Sequence, residues 1–131
     1  QKGQILTFTL DIRIPVTAQK ETVMERIREK IPSSREIHFG KPIDKSSDSP
    51  EIKMLLSAYK EVCPKEEAKP IAIGGGTLAR GFDNAVAFGP LFPEEEETAH
   101  MSNEYITVET LLKSHEIYYR ALKKLLESDE W

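Results

Sequence analysis

Residues 5–14, ILTFTLDIRI, alternate apolar and polar side chains. Leu6, Phe8, Leu10, Ile12 and Ile14 share one face; Thr7, Thr9, Asp11 and Arg13 share the other. A period of two with β-branched and aromatic residues predicts a half-buried strand. Pro15 ends it, and Thr17 is placed to cap a helix in which Val23, Ile27 and Ile31 recur at i, i+4 and i+8. Pro32 and the serine pair that follows stop that helix. Residues 35–39, REIHF, read as a second strand. A β-α-β unit of about 40 residues cannot bury a core alone, so this stretch reads as half of a larger unit.

Residues 40–50, GKPIDKSSDSP, are polar and rich in turn formers, and mark a candidate boundary. Ser49 as N-cap and Pro50 in the first turn open the next helix. Along it Ile52, Leu55, Leu56, Tyr59, Val62 and Cys63 fall on one stripe. PIAIGGGT (70–77) predicts a short buried strand running into three glycines, and NAVAFG (84–89) another short apolar strand. Thr107 is placed to cap a last helix with Val108, Leu111, Leu112, Tyr118, Tyr119, Leu122, Leu125 and Leu126 on one stripe. No internal repeat is present. Alternation of strand and helix predicts an α/β layer arrangement.

Composition narrows the function classes. At 131 residues, 39% hydrophobic and 31% charged, the chain has the make-up of a soluble globular protein. Its net charge of -4 and dispersed basic residues argue against nucleic acid as a partner. No apolar run reaches the roughly 18–20 residues needed to span a bilayer, so a membrane is not expected as a partner either. The single cysteine, Cys63, excludes an internal disulfide and fits a reducing, cytoplasmic setting. On an apolar stripe it reads as a small buried hydrophobe rather than a nucleophile. The chain opens on Gln1 rather than Met, which leads us to expect a piece of a longer functional unit.

Several residues could carry chemistry. His100 follows the glutamate run Glu94–Glu97. Four consecutive glutamates cannot all point at one ion, because successive side chains diverge in helix or strand. The run therefore reads as a solvated loop, and His100 alone cannot make a zinc site of three or four ligands. The glycines of GGGT (74–77) permit positive φ and close backbone approach, leaving N–H groups for an anion or oxyanion. A tight turn without such a role explains them equally well. No Gly-Lys-Ser/Thr or GxGxxG pattern accompanies them. Arg13, on a rigid strand, could grip a carboxylate bidentately or simply be a surface charge. His38 has no evident partner, and His115 falls on the apolar stripe of the last helix, where a core histidine is expected.

Three segments in order, DIRIPV (11–16), AIGGGTLARGFDNAVAFGPLFP (72–93) and TAHMSNEYITVETLL (98–112), resemble the C-terminal portion of the zinc-dependent dipeptidases that include bacterial dipeptidase V and the carnosinases. The wider group takes in aminoacylases, succinyl-diaminopimelate desuccinylase and glutamate carboxypeptidases. The resemblance covers nearly the whole chain. It implies an incomplete α/β fold: residues 1–41 as the C-terminal half of a ferredoxin-like lid, and residues 42–131 as the C-terminal strands and helices of a catalytic domain. It also implies that His100 is the last zinc ligand, in H-x-x-N-E. Gly75, Gly76 and Thr77 would contact the substrate, and Arg13 would grip its carboxylate or steady the reaction intermediate. Arg80, Asn103 and Glu104 lie in the motif segments without an implied role.

What the resemblance further implies is hydrolysis of dipeptides by a metal-bound hydroxide on a pair of zinc ions. The early histidine, bridging aspartate and general-base glutamate of the family have no counterpart here, so the 131 residues alone are expected to be inactive. The expected partners are a dipeptide or small amide substrate and the absent N-terminal catalytic portion. Two alternatives stand beside this reading: a desuccinylase or deacylase of N-acyl amino acids, and a non-catalytic module that assembles through an exposed strand at 5–14.

Overall fold

The computed structural model describes residues 6–89 and 91–128. Its regular elements are three α-helices, α1 (Lys20–Lys30), α2 (Pro50–Val62) and α3 (Val108–Glu127), and a 3-10 turn at Leu78–Gly81. Among the described residues no strand forms. The expected strands at 5–14, 35–39, 70–77 and 84–89 are instead unpaired segments; Ile5, in the first of them, lies outside the described residues. The α/β class and the β-α-β half-lid are corrected to that extent. The physical reason is that a strand exists only through a ladder to a neighbour. Alternation can mark residues for a sheet without supplying one. Leu6 and Phe8, on the predicted buried face, are 78% and 79% exposed.

Helix starts follow local chemistry. Ser49 Oγ accepts from the Ile52 N–H at 3.4 Å, with Pro50 just inside the helix. Thr107 Oγ1 accepts from the Thr110 N–H at 3.0 Å. At α1 the expected cap moves. Thr17 is drawn into a turn closed by the Ala18 N–H on the Pro15 carbonyl, and Gln19 becomes an N-cap with no side-chain cap bond. The helix ends at Lys30, where the Ile31 N–H closes on the Ile27 carbonyl at 2.8 Å ahead of Pro32.

The core lies between α2 and α3, the helix pair in contact. Cys63, Phe92 and Ile117 are buried together, with Tyr59, Val62 and Phe88 packed against them. Tyr59 stacks on Phe92 with centroids 6.0 Å apart, and Phe88 meets Tyr118 edge-on at 5.8 Å. Phe88, read in the sequence within a short apolar strand, and Phe92, read only as part of a motif, thus pack in the core. Glu61 ties the helices from outside, reaching Lys124 at 2.6 Å and Arg120 at 3.0 Å. Those partners hold its carboxyl below the usual range, Lys124 first and then Arg120.

The buried face of α3 is not the apolar stripe. Thr110, Ser114, Ile117 and Ala121 face inward, whereas Leu111, Leu112, Tyr119, Leu122 and Leu126 are exposed. His115 is exposed as well, a correction to its expected core position. At about 100° per residue the two stripes lie more than a third of a turn apart, about 140°. Small side chains let α2 come close on one side and leave the large apolar ones facing outward.

Candidate functional site

The triglycine turn collects two arginines that are far apart in sequence. Arg13 Nη1 donates to the Gly74 carbonyl at 2.6 Å across 61 residues, and Nη2 pairs with Asp11 at 3.0 Å. Arg80 Nη2 donates to the Gly75 carbonyl at 3.4 Å. Two of the predicted site pieces, Arg13 and the glycine turn, therefore meet. Thr77 Oγ1 accepts from the Ala79 N–H at 3.2 Å and so starts the 3-10 turn that carries Arg80. Its hydroxyl proton can still donate.

No described glycine has positive φ, so conformational freedom is not what Gly76 supplies. Space is. A Cβ on Gly76 would stand 2.9 Å from Arg80 Nη1, and one on Gly40 would stand 3.3 Å from the same atom. His38 Nε2 lies 3.8 Å from that Gly40 position, which gives this histidine surroundings the sequence did not suggest. Lys41 with Asp83 at 3.4 Å, and Lys45 with Asn84, hold the same two segments side by side.

His100 sits in a separate loop, exposed, and no bond joins it to the glycine turn among the described residues. Its φ is 65° and that of Asn103 is 64°, both left-handed. Asparagine tolerates that region; for histidine it is uncommon. The loop is closed by its own side chains. Glu104 accepts from the His100 N–H at 3.2 Å, while Thr98 Oγ1 donates to the Tyr105 carbonyl at 3.1 Å and accepts from the Tyr105 N–H at 3.4 Å. Glu104 thereby acquires a task that its sequence position left open.

The glutamate run divides. Glu95 is half-buried, accepting from the Phe92 N–H at 3.0 Å and from the Thr110 hydroxyl, so it pins the loop to α3. Tyr105 donates to Glu96 at 3.4 Å. Glu94 and Glu97 are exposed, as a solvated loop would have them.

The profile of "Peptidase family M20/M25/M40" matches residues 16–124, which take in α1, α2, most of α3, the glycine turn and the His100 loop. The chain belongs to this family. Among curated relatives, "Putative dipeptidase YtjP" of Bacillus subtilis (strain 168) is 38% identical over 130 residues, covering 95% of this chain and 27% of that protein. "Putative dipeptidase SSP1012" of Staphylococcus saprophyticus is 35% identical over 122 residues, covering 90% and 26%. A "Putative dipeptidase" of Staphylococcus epidermidis is 33% identical over 129 residues, covering 93% and 27%. This M20-family chain therefore spans about a quarter of the length of the curated relatives it matches. No solved structure matches it significantly.

The expected zinc site can be tested against the donors present. Among the described residues no group of three His, Cys, Asp or Glu stands close enough to hold an ion. A protein zinc site needs three or four donors, and His100 offers one. These residues by themselves do not make a zinc centre. No described helix is long and apolar enough to cross a membrane.

Proposed function

We propose that this chain forms the C-terminal part of a dipeptidase in which Arg13 and the Gly74–Thr77 turn bind the substrate's carboxylate end. The observation that carries the reading is the Arg13 guanidinium on the Gly74 carbonyl, in a chain of a peptidase family. An arginine so placed remains 66% exposed and keeps N–H groups for a carboxylate. The backbone N–H groups of Gly75 and Gly76 and the Thr77 hydroxyl would add donors from the same exposed turn.

His100 would supply one donor to a metal, zinc being our choice, with the remaining donors on residues outside this chain. Glu104 fixes the backbone that presents it. Residues 1–41 would belong to a lid and residues 42–131 to a catalytic domain, with partner strands for the unpaired segments supplied by the rest of the protein. The chain alone would then be inactive.

The test uses the full-length protein on a panel of dipeptides and N-acyl amino acids. Dipeptides are turned over. Arg13→Ala raises KM about 10–100-fold, as expected for loss of a charged hydrogen bond of about 1.5–3 kcal/mol. The same change has little effect on a substrate whose terminal carboxylate is amidated. His100→Ala lowers bound zinc. Turnover of N-acyl amino acids alone, or an Arg13→Ala enzyme with unchanged KM, refutes the assignment.

A further inference from the structure

We propose that Arg80 is a positioning residue that aims the N–H groups of the glycine turn, and that Gly40 and Gly76 are glycines in order to admit its guanidinium. The substrate-facing part of this proposal rests on the binding role given to the turn above.

In a trans peptide the C=O of one residue and the N–H of the next point in opposite directions. The Gly74 carbonyl is held by Arg13 at 2.6 Å and the Gly75 carbonyl by Arg80 at 3.4 Å. Fixing those two oxygens turns the Gly75 N–H and the Gly76 N–H away from the guanidiniums. Neither N–H finds an acceptor among the described residues. The result is two adjacent backbone donors, on peptides whose carbonyls are both held, that remain without an acceptor among the described residues and are open to an anionic group such as a carboxylate or a developing oxyanion.

Arg80 itself is held by shape. Its Nη1, Cζ and Nε lie 2.9, 3.3 and 3.6 Å from the Cβ position of Gly76, and Nη1 lies 3.3 Å from that of Gly40. The 2.9 Å contact is shorter than Cβ atoms allow, so a side chain at Gly76 obliges the exposed, flexible Arg80 side chain to shift from its place beside the Gly75 carbonyl, at little cost in stability but with loss of that position. Arg80 has no acidic partner among the described residues, and its plane is spent on the turn. Gly74 has nothing within 4 Å of its Cβ position, so the demand falls on Gly76 and Gly40 and not on glycine as such.

The experiment is a double-mutant cycle in the full-length protein, read by 15N order parameters of Gly75 and residue 76 and by KM and kcat on a dipeptide. Arg80→Ala and Gly76→Ala each lower the order parameters from about 0.85 toward 0.6. Each also raises KM about tenfold while kcat moves less. The double variant is no worse than Arg80→Ala within about twofold, because the second change removes a contact already lost. Gly74→Ala leaves the order parameters as they are. Arg80→Lys, a milder change that guards against misfolding, does not restore them, since an ammonium lacks the planar fork. Multiplying effects of the two single changes, or unaltered order parameters in Arg80→Ala, overturn the proposal. If the wild-type protein hydrolyses no dipeptide, the dipeptidase reading falls, and the order-parameter cycle alone decides the clamp.

Discussion

Asn103 and His100 share left-handed backbone but not its cost. An added Cβ branch or a simple methyl is disfavoured there, whereas glycine is at ease. Asn103→Ala should destabilise the protein by about 1 kcal/mol and Asn103→Gly by much less, as read by denaturant midpoints. At Cys63 the thiol is 4% exposed, and burial, with the nearby Glu66 carboxylate second, pushes its pKa up. Alkylation by iodoacetamide at mildly alkaline pH should therefore be slow in the native protein and fast after denaturation. Prompt labelling of native protein would contradict this. Cys63 was legible from the sequence because a stripe position is a local property. The task of Arg80 was not, because the atoms it touches, at Gly40 and Gly75–Gly76, come from separate segments.

Among the elements, α2 and α3 carry the stability that can be assigned. Ile117→Ala removes a side chain buried against Cys63 and Phe92 and should cost about 2–5 kcal/mol in chemical denaturation. Ser114 is buried with a hydroxyl that has no partner among the described residues. Ser114→Ala should leave stability equal or higher, since it removes an unsatisfied group and keeps the packing; a clear loss would show that the hydroxyl is bonded. Glu61 gives the helix pair a pH dependence of known sign. Its folded pKa is depressed, so its contribution is present above the ordinary glutamate value of about 4.3 and is lost as pH falls through the folded value. Glu61→Gln should flatten the acid limb of the stability profile below that pH. The effect should shrink in high salt, because the pairs with Lys124 and Arg120 are only half-buried.

At the scale of the whole molecule the surface is the telling quantity. A compact monomer of 14.9 kDa exposes about 7,000 Å². This chain exposes 11674 Å², with Leu6, Phe8, Ile71, Ile73, Leu78, Leu112 and Leu126 all more than 60% exposed. Apolar surface on that scale calls for a cover. The chain on its own should bind an apolar dye such as ANS strongly, and the full-length protein should not. Equal dye binding by both would mean that the rest of the protein leaves these faces open.

Sequence by itself determined what depends on neighbours along the chain: three helices, the Ser49 and Thr107 caps, the end of α1 before Pro32, the burial of Cys63, and the motif series that places the chain in its family. Period and capping act within a few residues, so a linear reading can see them. Tertiary structure decided which face of α3 turns inward, because the small residues that admit α2 outweigh the larger apolar stripe. It also decided that Phe88 and Phe92 pack in the core and that Glu95 pins a loop. Finally, it decided that Arg13 and Arg80 converge on one turn. Each of these is a contact between distant segments, fixed by how closely two backbones can approach. The strand-like alternation shows the limit from the other side, since its pattern is local while the ladder that would make it a strand needs a partner.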